Sequence, residues 1–191
     1  MKIKRKTVKA EKPMTKAQEK KLLKKATNKA FSLWGECGRL LADDKCELCG
    51  AHRGDIKENG KPTILNGHHL RIRDDHSLRF DPHNNSTLCQ WCHKFSREGA
   101  HRGTILFNEW LRNNRAFDYE YLLKNANGEP IDSLEDVLLA VAQLTYQKYW
   151  LFTFQGMLAD GLPCSPRKAE SDNSSDQLIE EIKTRMALDN P

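Results

Sequence analysis

Two Cys-x-x-Cys pairs constrain this chain more than anything else in it: Cys46-Glu-Leu-Cys49 and Cys89-Gln-Trp-Cys92. Two such knuckles supply the four thiolates of a closed tetrahedral zinc site, so the fold must bring them together whatever else it does. The 7 histidines crowd into the same stretch, all of them between His52 and His101. Gly67-His68-His69 lies between the knuckles and His93 directly follows the second. Two sites of different purpose are expected, a closed thiolate site for structural zinc and an imidazole site with coordination positions left open.

At 191 residues, with 38% apolar and 30% charged residues, the chain has enough material for one core and two tails. No apolar run approaches the roughly 20 residues needed to cross a bilayer, so no membrane association is expected. Met1 to Lys6 begins with charge but leads into no apolar stretch, which argues against a secretory signal and for a cytoplasmic location. In a reducing compartment the paired cysteines bind metal, which leaves Cys37 and Cys164 as unpaired thiols. Charge is distributed unevenly: residues 1–30 carry twelve Lys or Arg against two Glu, whereas residues 170–191 carry six acids against Lys183 and Arg185. A basic arm of this kind attracts a polyanion by counterion release; its bland alternative is a solvated tail.

Along the chain, Thr15 with Gln18 reads as a capping box. The apolar residues from Leu22 to Leu41 then recur at helical spacing, ending between Cys37 and Ala42. Cys37 on that stripe reads as a buried small apolar residue. A loop or loose hairpin is expected over 51–62, a strand over 63–72, a turn at Asp74-Asp75, a short returning strand over 77–80 and an irregular stretch over 81–85. A helix should follow the second knuckle through Trp91 and Phe95, stopping at Gly99, with another from Thr104 to Asn113. Tyr119 to Leu123 reads as a short apolar segment. Asp132 with Glu135 starts a helix whose inner face carries Leu134, Val137, Leu138, Val141 and Leu144. The aromatic run Tyr149 to Phe154 is core or interface, 161–176 a linker, and 177–188 a last amphipathic helix.

Neighbouring residues of a strand face opposite ways, so His68 and His69 cannot both turn toward one ion. One should ligate, and His93 at the start of the facing helix can share its metal. His101 reads as a satisfied core histidine, or else as an accessory ligand or a phosphate contact. Nothing is assigned to His52, His76 or His83.

The combination of Cys-x-x-Cys, Gly67-His68-His69, Asn84 and Cys89-x-x-Cys92-His93 resembles the His-Asn-His (HNH, or ββα-metal) endonuclease family in its four-cysteine zinc form. The stretch from Leu78-Arg79-Phe80 to Asn84 and the second knuckle resemble phage recombination proteins of the NinG type, and His101 with Phe107 and Trp110 is similar to small phage HNH proteins. The match covers roughly residues 31–123. It implies an α+β fold: a small ββα-metal core stapled by a four-cysteine zinc site on Cys46, Cys49, Cys89 and Cys92, surrounded by helices, with a basic N-terminal arm and an acidic C-terminal tail. The chain then divides into a disordered arm over 1–14, a nuclease domain with its N-terminal helix over 15–123, a helical extension over 124–160, and a linker with a short helix over 161–191.

The resemblance further implies metal-dependent hydrolysis of DNA phosphodiesters in phage recombination or processing, in a host cytoplasm if the chain is phage-encoded. His69 would be the general base, His68 and His93 the ligands of a catalytic divalent ion, and Asn84 the residue that holds the loop positioning His69 or reaches the metal itself. One of Arg71, Arg73 and Arg79 would clamp the phosphate, with Arg71 taken as the candidate. His68 stands where many members have Asp, which makes Zn²⁺, Ni²⁺ or Mn²⁺ plausible beside Mg²⁺. DNA is the expected partner, with phage recombination or packaging proteins beside it, and a branched substrate would favour a homodimer. The competing expectation is a non-catalytic, zinc-stabilised nucleic-acid-binding module of such a complex.

Overall fold

The computed structural model describes residues 14–71 and 75–159, with side chains through residue 153 and that of Gln155. Residues 1–13 of the expected basic arm, Arg73, Asp74, Cys164, the linker over 161–176 and the helix over 177–188 lie outside the described residues.

The first long helix, α1 (Lys16–Leu41), starts where the capping box puts it. Gln18 N–H donates to Thr15 Oγ1 at 3.3 Å and Thr15 N–H donates back to Gln18 Oε1 at 2.9 Å. Ala26, Ala30, Leu33, Trp34 and Cys37 are buried along one face. Burial raises the Cys37 thiol to about 11, as suits an inert core residue. After Ala42 caps α1, Asp43 and Asp44 both take positive φ, turning the chain sharply into the first knuckle.

A two-stranded antiparallel sheet follows, β1 (Leu65–His69) and β2 (Asn85–Cys89), in a register that pairs Leu65 with Cys89 and His69 with Asn85. Sheet plus helices makes the molecule mixed α+β. The expected hairpin over 51–62 is loose indeed, held by isolated bridges between Lys45 and His52 and between Ile56 and Pro62.

The returning strand is not at 77–80. Leu78 N–H donates to Asp75 O, Asp81 N–H to Leu78 O and Asn84 N–H to Asp81 O, successive tight turns that bury Leu78, Arg79 and Phe80 together. Asp81 caps a 3-10 turn over Pro82–Asn84 by accepting from His83 N–H at 2.8 Å, so the chain can enter the ladder only at Asn85.

After the second knuckle, a single π turn over Trp91–Phe95 replaces the longer helix the sequence suggests. Then come α2 (Thr104–Asn114), α3 (Ala116–Asn125) and α4 (Leu134–Ala159). α3 is a full helix where only a short apolar segment was expected. α4 begins one residue later than expected, with Ser133 Oγ accepting from Asp136 N–H. It lies on α1, and Val137, Leu138, Val141, Leu144 and Leu151 complete the larger core with the α1 face and Phe80. Of the aromatic run, Tyr149, Trp150 and Phe152 are exposed. The smaller core is built from the knuckles themselves: Cys46, Leu65, Leu88, Cys89, Cys92, Ala100 and Phe107.

Candidate metal centre

The ladder between β1 and β2 draws the two knuckles together because Leu65 and Cys89 are paired across it. Cys46, Cys49, Cys89 and Cys92 then place their sulfurs within 4.8 Å of one another. Cys49 Sγ and Cys89 Sγ are 3.8 Å apart, far beyond a disulfide bond. Four thiolates bound tetrahedrally at about 2.3 Å lie about 3.8 Å apart, so the Cys49–Cys89 pair has the spacing of ligands on one ion and the cluster could hold a metal.

Cys92 N–H points at Cys89 Sγ at 3.5 Å. A hydrogen bond with Cys92, reinforced by backbone N–H groups, holds the Cys46 thiol down to about 4, whereas its partner Cys92 is pushed up. Burial likewise raises Cys49.

A second cluster lies past the sheet end. His68 is the penultimate residue of β1, His93 sits on the π turn, and His101 comes from the turn before α2; one ring nitrogen of each lies within 4.8 Å of the others. The Nε2 atoms of His93 and His101 are 3.1 Å apart. Nitrogens bound to one ion at about 2.1 Å lie roughly 3.0–3.4 Å apart, so this pair has the spacing of ligands sharing a metal. Burial, followed by the neighbouring imidazoles, depresses His68 to about 3 and lowers His93, so both offer lone pairs at neutral pH. His93 Nδ1 is buried with no protein hydrogen-bond partner, a polar atom left over for a ligand or water.

His101 is the member that the sequence left undecided. Its place follows from the chain doubling back on the knuckle: Ala100 N–H donates to Cys92 O at 3.1 Å and His101 N–H to His93 O at 3.3 Å. Gly99 permits this fold-back, since a Cβ there would lie 2.3 Å from Cys92 O. Two glycines flanking the histidine, at 99 and 103, were the available signal.

His69 turns the other way, as strand alternation requires. Its ring stacks on Trp34 at 4.0 Å and 17° and meets the edge of Phe31 at 5.9 Å. Gly67 makes room for that stack, because a Cβ there would lie 2.8 Å from Trp34. His69 Nε2 is 2.9 Å from Arg79 O. A carbonyl only accepts, so Nε2 carries a proton, and in the neutral ring the lone pair is then on Nδ1.

Asn84 is fully buried and ties that loop from inside. Its Nδ2 donates to Leu78 O at 2.9 Å and its Oδ1 accepts from Arg71 N–H at 2.7 Å. It therefore holds the loop beside His69 and does not reach the three-histidine cluster.

Of the three arginines, Arg79 is buried, donates to Ile131 O and pairs with Asp132 at 3.3 Å. Arg71 pairs with Asp75 at 2.7 Å. A cleft of about 590 Å³ is lined by Gly67, His68, His69, His93 and His101, with Thr104 and Asn108 of α2 on its far wall. Three nitrogens on one ion leave positions there for water and substrate.

No family model, curated protein or solved structure matches this chain. The geometry must therefore carry the functional reading. Among the described residues no helix is long and apolar enough to cross a membrane.

Proposed function

We propose that this protein is a metal-dependent endonuclease that hydrolyses DNA phosphodiester bonds. The carrying observation is that His69, with its proton tied to Arg79 O and its lone pair on Nδ1, lines the same cleft as the three-imidazole cluster. A module built only to hold a structural metal has no use for that second arrangement. An antiparallel hairpin leading into a turn that carries His93 also supports a ββα-metal core, although the helical part is one π turn. The four-cysteine site is suited to zinc, which would staple the hairpin to that turn.

His68, His93 and His101 would hold the divalent ion, for which imidazole nitrogen favours Zn²⁺, Ni²⁺ or Mn²⁺ beside Mg²⁺. When bound, that ion neutralises charge on the phosphate and the leaving 3′ oxygen. His69 takes a proton from water at Nδ1, its ring kept in place by Trp34 and its tautomer by Arg79 O. Asn84 positions His69 by fixing the loop that presents this carbonyl. Arg71 can serve the phosphate only by leaving Asp75. The phage recombination or packaging setting rests on the sequence resemblance alone.

Supercoiled plasmid incubated with Mn²⁺ or Mg²⁺ should be nicked by the wild-type protein. A general base contributes roughly 10²–10⁴ in rate, so His69→Ala should be slower by about that factor while keeping both metals. Equal cutting by the two proteins, or no cutting of plasmid, linear, single-stranded or branched DNA, overturns the reading in favour of a non-catalytic nucleic-acid-binding module.

A further inference from the structure

We infer that a polar stripe of α1, exposed over its first half and half-buried at Gly35 and Arg39, is a track for the phosphodiester backbone, leading the strand to His69 from the side opposite the three histidines. This rests on the endonuclease reading and adds how the substrate is held.

A second cleft, of about 550 Å³, adjoins the first and shares Gly67 and His69 with it. Its outer wall is α1, through Asn28, Gly35 and Arg39, and Asn66 of β1 faces them. His69 is thus the divide between a cleft that carries imidazoles and a cleft walled by a helix. A strand laid across that divide passes the proposed base.

The wall has the chemistry of a phosphate track. At about 100° per residue, Lys21, Lys24, Asn28, Gly35 and Arg39 fall within one narrow arc of α1. The stripe from Lys21 to Arg39 is about 27 Å long at ~1.5 Å per residue, enough for several successive phosphates. Lys21, Lys24 and Asn28 line its first half, and Lys24 and Asn28 are exposed.

Gly35 leaves the middle of the track bare. A Cβ at that position would meet only Arg39 Nη1, at 3.9 Å, so the guanidinium lies alongside open backbone. Arg39 Nε stands 4.0 Å from Asp44, the outer limit of an ion pair, which leaves its planar fork with donors to offer. The acid lining this cleft, Glu36, is already engaged: it pairs with Lys148 and accepts from the Ser32 hydroxyl at 3.1 Å. The repulsion it would otherwise exert on a phosphate is offset.

Base readout is not what this wall offers. Its aromatic residues, Phe31 and Trp34, are engaged with His69, and the polar groups on the α1 arc are cations and an amide, which hold backbone without reading sequence.

The test compares two triple variants of the full chain that remove equal charge: Lys21→Gln/Lys24→Gln/Arg39→Gln on the track, and Arg53→Gln/Lys61→Gln/Lys124→Gln away from it. Glutamine keeps the helix propensity of lysine and arginine, and circular dichroism checks the fold. Binding of a labelled duplex is followed by anisotropy across a salt series, and plasmid nicking in parallel.

The track variant should flatten the slope of log K against log salt by about 2–3, at ~0.9 per phosphate contact. Its KM should rise roughly tenfold at ~0.15 M salt with kcat within about twofold, and the control slope should change by less than about 1. Equal slopes for the two variants overturn the track while nicking by the wild type keeps the endonuclease reading. Binding without nicking sinks that reading, and the slopes still decide the track. No binding by the wild type sinks both.

Discussion

Asn84 shows how one buried amide can tie a loop from inside. Both of its polar ends are used, on Arg71 N–H and Leu78 O, and it has no exposure to water. Asn84→Ala leaves the Arg71 N–H without its acceptor, at a cost of about 1–3 kcal/mol, whereas Leu78 O keeps its second donor, the Asp81 N–H. The expected outcome is a loss of about 1–3 kcal/mol in urea unfolding with both metals still bound, and slower nicking because the Arg79 carbonyl beside His69 is less firmly fixed. A variant as stable as wild type would show that the loop holds itself. At this scale the sequence was readable wherever the rule is local. Alternation along β1 was enough to send His68 and His69 to opposite faces, and they do point to different partners. What could not be read was the partner: nothing in the order of residues says that Trp34, far back on α1, stacks on His69, because that contact depends on how α1 lies on the sheet.

Elements were legible in proportion to how much of their start and stop is written in side chains. The capping box at Thr15 placed α1 to the residue. The second strand was misplaced because Leu78-Arg79-Phe80 has strand composition, whereas the Asp81-Pro82 cap keeps the chain in turns until Asn85. α3 was missed because three turns with one buried residue, Leu122, give too little periodicity to count. The fold-back from Ser96 to Gly103 is the element that completes the histidine cluster, and it is testable through its tightest point. In Gly99→Ala the new methyl would stand 2.3 Å from Cys92 O, a clash with backbone that only displacement of the turn can relieve. His101 should then leave His93, lowering affinity for the weakly held divalent ion at least tenfold, while the thiolate-bound ion stays. Metal counting after mild chelation checks this; unchanged retention of both ions would show that His101 contributes nothing to the site.

The whole molecule is two cores joined by β1 and β2. The larger one, between α1 and α4, is made of aliphatic and aromatic side chains and Cys37, none of them in either ligand cluster. In the smaller one, three of the seven buried residues are ligand cysteines, so much of its packing is contingent on the ion. A structural zinc site contributes on the order of 10–16 kcal/mol in small peptides, more than a core of that size could supply alone. The two cores meet where Asn85 Nδ2 donates to Trp34 O at 2.8 Å, where Gly38 admits the Asn85 side chain and where His69 stacks on Trp34, none of which involves a residue of either ligand cluster. Removal of the thiolate-bound metal with a strong chelator should therefore unfold the molecule in two stages. The knuckles, the π turn and the Phe107–Trp110 stack are lost first, seen as a change in tryptophan fluorescence. The α1–α4 pair keeps most of the helical circular dichroism until the protein is heated. A single concerted loss of both signals on chelation would mean that the sheet supports α1 as strongly as α1 supports the sheet, and that the metal governs the entire fold.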